Sequence, residues 1–360
     1  MGLKVVNVTR QAIHHSHDDS ATQRAFCSDD GRNRVSGHAL ACSVVPTPRT
    51  APLRKLLDLP WVVPPGSAPG LKLLPPSSTP YSPGGRSQTE AATADLKIEL
   101  AELQNRLRAE ETRSVLLILQ GMDASGKDGT AKAVFSAVNP MGVRVASFNV
   151  PTEDELAHDF LWRVHKETPP RGHIGIFNRS HYEDVLAVRV RKIAPEAVWR
   201  RRYRLIRDFE ENLVAGGTAI IKVMLHISAE EQGARLQERI DEPSKRWKFR
   251  LGDLDDRKLW TPYQRAYEDA LFETSTVAAP WFVVPADRKW YRNFAVLSIL
   301  TSVLREMNPK VPLQPDLEGV SVPGPRYPAV VKVPSEPKPI KANKKRDEQK
   351  RPPKTTESPD

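Results

Sequence analysis

One stretch constrains this chain more than any other. The continuous apolar run Ser114–Gln120 (SVLLILQ) ends directly on Gly121-Met-Asp-Ala-Ser-Gly126-Lys127-Asp128-Gly129-Thr130, and a helix-forming segment comes next. A short apolar run without alternation reads as a strand buried on both faces. The glycines let successive backbone N–H groups turn inward, and the helix that opens behind them adds partial positive charge. Strand, glycine-rich turn, lysine and helix together are the context of a P-loop. Gly121, Ser125, Gly126, Lys127, Asp128, Gly129 and Thr130 are therefore the expected phosphate cradle, with Lys127 reaching the outermost phosphate.

Such a unit belongs to an α/β fold, and the rest of the middle of the chain agrees. Val143–Val150, Ile174–Phe177, Ala219–Ile227 and Trp281–Pro285 are further short apolar runs. Helical patterns separate them at 129–138, 153–166, 195–215, 229–240 and 261–275, and the apolar helix Trp290–Met307 closes the series. Alternating strands and helices predict a parallel central sheet between helical layers. A further helix is expected from Thr93, carried by Leu96, Leu100, Leu103 and Leu107.

The flanks are different in kind. Of 32 prolines, 22 fall in residues 1–92 and 311–360 and 10 fall between them. Aperiodic proline with Ser and Gly resists burial, so residues 1–92 and 311–360 read as low-complexity, disordered segments around one domain at 93–310. The net charge of +10 is spread over all three segments, so a polyanion site has to come from local clustering. Cys27 and Cys42 lie in the N-terminal flank without metal-ligand spacing, which fits a reducing cytoplasm. No run of 18 apolar residues and no secretory leader is present, and Val6 stands where a myristoylation signal needs Ser or Thr. A cytoplasmic protein without a membrane partner is expected.

The P-loop departs from the usual pattern in two places. Asp128 replaces the Ser/Thr that normally comes after the lysine, and Asp123 adds a carboxylate inside the loop. A carboxylate against bare phosphate is repulsive unless a divalent cation bridges them. Asp123 is thus either a metal ligand or a base for an attacking oxygen. Asp128 can instead cap the following helix. The strand Ile174–Phe177 runs into Asn178-Arg179-Ser180-His181-Tyr182-Glu183-Asp184, at the strand end where ligands of α/β sheets sit. Arg179 is suited to a phosphate. Glu183 or Asp184 could hold Mg²⁺, or the two could be a surface acid pair, and His181 reads as structural. Further on, Arg235, Arg239, Lys245, Arg246, Lys248 and Arg250 fall within 16 residues, interleaved with Trp247 and Phe249 and interrupted by Pro243. Beside a P-loop, that stretch reads as a basic lid that closes over phosphates, and otherwise as a solvated charge run.

The strings GMDASGKDGT, IGIFNRSHYEDVL, RIDEPSKRWKF, DLDDRKLWTPYQRAYEDAL and APWFVVPADRKWYRNFAV, in that order, resemble the polyphosphate kinase 2 family from about Leu96 to Met307. The resemblance implies a three-layer, thymidylate-kinase-like P-loop fold with a helical basic lid. It implies phosphoryl transfer between inorganic polyphosphate and a nucleotide, with Mg²⁺ (or Mn²⁺) as cofactor. Carried over by position, Lys127 binds phosphate, Asp123 holds metal and activates the acceptor oxygen, and Arg179 and Arg239 contact phosphates. Lys132, Arg235, Lys245 and Lys248 extend the positive channel, and Glu183 takes the metal position where Asn178 replaces an aspartate. The NRS string resembles branches that use AMP, or AMP and ADP. Partners would be polyphosphate and AMP, ADP or ATP, with no specific nucleic acid and room for a homo-oligomer. Competing expectations are a preference for diphosphates such as GDP, an ATP-dependent nucleotide kinase, and a polyanion-binding protein without turnover.

Overall fold

The computed structural model describes residues 57–313, together with residues 317, 319–322 and 324. Cys27, Cys42 and the expected disorder of residues 1–56 and 325–360 lie outside the described residues. Six strands form one sheet: β1 (Val62–Val63), β2 (Ser114–Gln120), β3 (Val143–Ser147), β4 (Ile174–Asn178), β5 (Thr218–His226) and β6 (Trp281–Pro285). Their order is β1-β6-β5-β2-β4-β3. All neighbours are parallel except β1, which pairs antiparallel with β6 through Val62–Phe282 and Val63–Trp281. The helices are α1 (Arg86–Glu110), α2 (Lys127–Val134), α3 (Glu153–Leu156), α4 (Trp162–His165), α5 (Ala187–Val190), α6 (Glu196–Ala215), α7 (Ala229–Asp241), α8 (Gly252–Lys258), α9 (Trp260–Thr274) and α10 (Lys289–Met307).

The central strands are apolar on both faces because helices cover both. All seven residues of β2 and all nine of β5 are buried. Successive side chains point to opposite faces. Val115, Leu117 and Leu119 pack against α1 and α10, with Leu100, Leu103, Leu107, Leu300 and Leu304. Leu116 and Ile118 pack against α6 and α9, with Trp199, Tyr203, Ile206 and Tyr267. Burying each such side chain contributes about 1.5–3 kcal/mol, so the two layers stabilise the strand ends that carry the site.

The differences from the sequence reading have identifiable causes. Residues 153–166 form two short helices instead of one. Thr152 and Glu155 make a capping box that starts α3, and Asp159 then accepts from the Leu161 N–H at 2.9 Å, turning the chain before α4. Helix α8 carries no apolar stripe, so periodicity does not reveal it. The N-terminal boundary also moves. Helix α1 begins at Arg86 rather than Thr93, held by polar contacts such as Thr89 Oγ1 donating to Gly85 O at 3.0 Å. Ahead of it, residues 57–85 are a packed strap and not a low-complexity segment. Trp61 and Leu71 are buried, Trp61 Nε1 donates to Tyr291 Oη at 2.7 Å, and that hydroxyl donates to Pro80 O at 2.8 Å. Only Val62 and Val63 pair with β6; the rest of the strap runs through turns and a short 3-10 helix at Leu71–Leu73.

Candidate active site

Five parallel strands end on the same side of the sheet, and their ends line one cleft of about 800 Å³. The P-loop leaves β2 and wraps from Gly121 to Gly126 into α2. Two glycines are required by its geometry. Gly121 has φ +150°, and a Cβ there would stand 2.7 Å from Ser125 Oγ and 2.8 Å from Leu225 O. Gly126 has φ +101°, and a Cβ there would stand 1.9 Å from Arg292 Nη1. Ala124 also takes a left-handed conformation, φ 61°, a strained setting for a residue with a Cβ. Ser125 and Thr130 are buried within the loop and the first turn of α2.

Lys127 folds back across the loop. Its Nζ donates to Gly121 O at 2.8 Å and Met122 O at 3.3 Å. Burial, and then the nearby Arg179 guanidinium, push its pKa below the usual lysine value. Arg179, at the end of β4, is likewise held at positive φ, 62°. Its Nη2 donates to Asp123 Oδ1 at 2.9 Å, which joins the ends of β2 and β4 through a charge pair. Burial works against the Arg179 charge, but Glu183 and Asp123 outweigh it and raise its pKa.

The turn after Arg179 rests on a buried polar network. Gln120 is oriented so that its amide nitrogen donates to Glu183 Oε1 at 3.3 Å and its oxygen accepts from Ser180 Oγ at 3.1 Å. Burial pushes the Glu183 carboxyl up, and Arg179 and Lys127 offset part of the rise. Beneath the turn, Lys222 of β5 is fully buried. Its Nζ donates to Glu210 Oε2 and Thr274 O, both at 2.6 Å, and to Tyr182 Oη at 3.1 Å. Tyr182 Oη donates to Glu210 Oε1 at 2.8 Å, and His181 Nε2 lies 3.4 Å from the same oxygen. Lys222 holds Glu210 below the usual carboxylate range despite its burial. The network pins the turn carrying Glu183 to α6 and α9, with His181 buried inside it. Asp184 is tied off separately by Arg202 at 2.9 Å.

Known proteins share this outline. Residues 85–312 match the family described as Polyphosphate kinase 2 (PPK2). The chain belongs to the polyphosphate kinase 2 family. It is 55% identical over 246 residues to an AMP/ADP-polyphosphate phosphotransferase of Meiothermus ruber, covering 68% of this chain and 92% of that one. It is 45% identical over 225 residues to an ADP-polyphosphate phosphotransferase of Rhodopseudomonas palustris, covering 59% and 78%. Among solved structures it resembles polyphosphate kinase 2 from Arthrobacter aurescens TC1, with TM-score 0.67 and 45% identity over 68% of this chain and 88% of that one.

Within this polyphosphate kinase 2 chain, the residues expected at the site divide into three groups. Asp123, Lys127, Asp128, Arg179, Arg239, Lys245 and Lys248 line the cleft, as do Gly126 and Gly129. Arg239 Nη1 is 3.4 Å from both Asp253 Oδ2 and Lys248 O, and Lys245 Nζ donates to Glu238 Oε1 at 2.6 Å. These lid contacts are exposed or long, so the cations remain available to phosphate. A second group lies in place but acts differently. Arg235 is buried, and its guanidinium donates to Ala124 O, Ser125 O, Ala286 O and Asp287 O at 2.7–3.0 Å, with Nε on Glu231. All its donors are used, so it braces the P-loop while lining the cleft. Asp128 does not cap α2 with its side chain; it accepts a short hydrogen bond from Asn178 Nδ2 across the cleft. Lys132 is exposed on α2 and is not among the residues that line the cleft, although its neighbour Ala131 is.

Arg292 is the residue the sequence did not reveal. It lies in the first turn of α10 and is 3% exposed. Its Nη1 is 3.3 Å from Ser125 O, and no carboxylate pairs with it in its hydrogen-bond set. Burial, with Arg235 next to it, lowers its pKa to about 10. An unpaired guanidinium at the mouth of a P-loop is arranged to meet an anion. In the sequence it lay inside the family-like string APWFVVPADRKWYRNFAV, 166 residues from the loop, with nothing there to mark it as a site residue.

No cluster of three metal-ligating side chains exists among the described residues. The donor set still fits a hard divalent cation that brings phosphate oxygens and water as most of its ligands. Asp123 keeps one carboxylate oxygen free of hydrogen-bond partners within the protein, and Glu183 is held close enough to Asp123 to feel its charge.

Proposed function

We propose that this chain transfers a phosphoryl group reversibly between inorganic polyphosphate and an adenine nucleotide, AMP to ADP and ADP to ATP, with Mg²⁺ as the metal and Mn²⁺ as a substitute. The observation that carries the reading is the Asp123–Arg179 pair beside Lys127, in a loop with no Ser/Thr ligand after its lysine, facing a wall of cations. Membership of the family and the printed activities of the relatives support it.

Phosphoryl transfer demands alignment and charge neutralisation rather than a covalent intermediate. The terminal phosphate of the donor lies in the P-loop, where the backbone N–H groups and Lys127 bind it. Lys127 exchanges its present carbonyl partners for phosphate oxygens, which restores the charge that burial disfavours. Arg179 neutralises the transferring group from the β4 side. Asp123 orients the acceptor phosphate and takes up a proton when the attacking oxygen carries one. Mg²⁺, held by Asp123 and Glu183, would supply charge neutralisation between donor and acceptor oxygens. Arg239 and the lid lysines close over the chain and exclude water. A cytoplasmic setting, where adenine nucleotides are abundant, completes the reading; among the described residues no helix is long and apolar enough to cross a membrane.

The test is a matrix of AMP, ADP, GMP and GDP with long-chain polyphosphate or ATP as sole donor, with Mg²⁺, products separated by chromatography. ADP from AMP and ATP from ADP with polyphosphate are the expected products. Transfer from ATP alone, or to guanine nucleotides alone, would overturn the assignment.

A further inference from the structure

We propose that Gln232 of α7 is a positioning residue for phosphoryl transfer: its side-chain amide bridges the Asp123 carbonyl of the P-loop and the Arg257 guanidinium of α8, so that the loop and the helix that follows the lid keep one geometry. The assignment rests on the transfer reading above and names a residue that acts through Asp123 without touching a substrate.

The loop itself sets the requirement. Its backbone N–H groups can bind phosphate only when the carbonyls of the same peptides point away from it. N–H and C=O lie on opposite sides of a trans peptide, and no cis peptide occurs among the described residues. Three consecutive carbonyls are held by side chains of α7 and α10. Gln232 Nε2 donates to Asp123 O at 3.1 Å, and Arg235 Nη1 donates to Ala124 O and Ser125 O, both at 3.0 Å. Arg292 Nη1 adds a contact to Ser125 O at 3.3 Å. Of the N–H groups across these peptides, that of Ser125 closes the loop on Met122 O at 3.1 Å. Those of Ala124 and Gly126 have no partner among the described residues, and both residues line the cleft. Gln232 and Arg235 are three apart, so one face of α7 carries both.

The bond from Gln232 governs the peptide that leaves Asp123. Asp123 is thereby held twice, by Arg179 on its carboxylate at 2.9 Å and by Gln232 on its carbonyl. The next residue, Ala124, is left-handed at φ 61°, a setting that a residue with a Cβ resists. An outside partner on the Asp123 carbonyl keeps that peptide plane in place. Gln232 is fully buried, and both ends of its amide are in use. A residue that only filled space there could be apolar.

The other end of the amide leads to α8. Gln232 Oε1 accepts from Arg257 Nη1 at 3.0 Å, and the same nitrogen donates to Ala229 O at 2.6 Å. Helix α7 makes room for this guanidinium with a glycine: a Cβ on Gly233 would stand 3.1 Å from Arg257 Nη2. Glycine inside a helix is destabilising relative to alanine, so its place here points to the guanidinium. The rest of α8 reaches the site as well. Asp253 lines the cleft and meets the lid residue Arg239 at 3.4 Å, and Asp256 Oδ2 accepts from Arg191 Nη2 at 2.6 Å. Helix α8, which has no apolar stripe, is thus seated by its charges, and one of those seats runs through Gln232 to Asp123.

The experiment is steady-state kinetics and amide hydrogen exchange on Gln232→Met, Arg257→Met and the double variant. Gln232→Met is expected to lower kcat roughly 10- to 100-fold, the scale of a small misplacement of reacting groups, with the nucleotide and polyphosphate KM values within about threefold. Arg257→Met should lower kcat by less. The double variant should be no slower than Gln232→Met, because Arg257 acts through the amide. A folded Gln232→Met enzyme with wild-type kcat, or a double variant slowed by the product of the two single effects, would overturn the assignment. If Gln232→Met fails to fold, Arg257→Met decides: a lowered kcat with KM held supports the link, and a wild-type kcat refutes it. If the wild type transfers nothing, the transfer reading fails by itself. Exchange then still reads the link: faster exchange of the segment 121–130 in Arg257→Met supports it, and unchanged exchange refutes it.

Discussion

The floor of the cleft and its lid are both rich in charge, and they hold that charge in opposite ways. On the floor, Arg235 has every donor on a carbonyl or Glu231, and Lys222 is fully buried on Glu210, Thr274 and Tyr182. Arg179 pairs with Asp123 at 2.9 Å from a left-handed backbone, with its side chain 40% exposed. On the lid, Arg239 meets Asp253 only at 3.4 Å, and Lys245 pairs with Glu238 where both side chains are more than 40% exposed. Exposed pairs contribute about 0–1 kcal/mol, whereas breaking a buried pair costs about 3–5 kcal/mol. The floor is therefore organised before substrate arrives, and the lid is free to reorganise around it. The proposed function assigns chemistry to the first and capture of the polyanion to the second.

Lys127→Ala should show the largest effect. Turnover is expected to fall at least ~100-fold, the scale of one lost electrostatic group at a transfer site, with the folded state intact by circular dichroism. Wild-type turnover would remove Lys127 from the chemistry. Arg292→Met separates stability from function more sharply. It replaces an uncompensated buried charge, so thermal stability should hold or rise while transfer falls by about 10²-fold. A drop in melting temperature without loss of activity would make Arg292 a packing residue.

Lys222→Met should leave Glu210 buried and unpaired, lowering unfolding free energy in urea by about 3–5 kcal/mol; adding Glu210→Leu should recover much of it. On the lid, Lys245→Ala should leave stability within about 0.5 kcal/mol and raise the polyphosphate KM several-fold, an effect that fades with added salt. A pH-dependent effect concerns Asp184. Burial, against Arg202 and Arg163, pushes its carboxyl up to about 6. A carboxyl whose folded pKa lies above its unfolded value favours folding when protonated, and that stability is lost as pH rises through about 6. Between about pH 4.5 and 7 the wild type should therefore lose about 1–3 kcal/mol relative to Asp184→Asn, read by urea unfolding.

Legibility in the sequence divides along similar lines. Contiguous features were legible. The apolar runs placed β2–β6 to within a few residues, and the glycine–lysine turn placed Asp123, Lys127 and the cradle. Features made by distant segments were not. The Arg292 guanidinium reaches the P-loop only because β6 lies beside β5, and the bracing of the P-loop by Arg235 was not legible because charge alone does not say what a guanidinium faces. The strap of residues 57–85 was hidden by its prolines, which usually mark unpacked chain but here lie between the buried anchors Trp61, Val63 and Leu71. The break between α3 and α4 turned on single capping side chains, Thr152 and Asp159.

The division between floor and lid is tested most directly by single-turnover transfer from saturating polyphosphate to bound nucleotide in the Lys245→Ala/Lys248→Ala enzyme. The expected result is a wild-type rate of transfer once polyphosphate saturates, with the defect confined to the concentration needed to saturate. A transfer step slowed as much as in Lys127→Ala would contradict it.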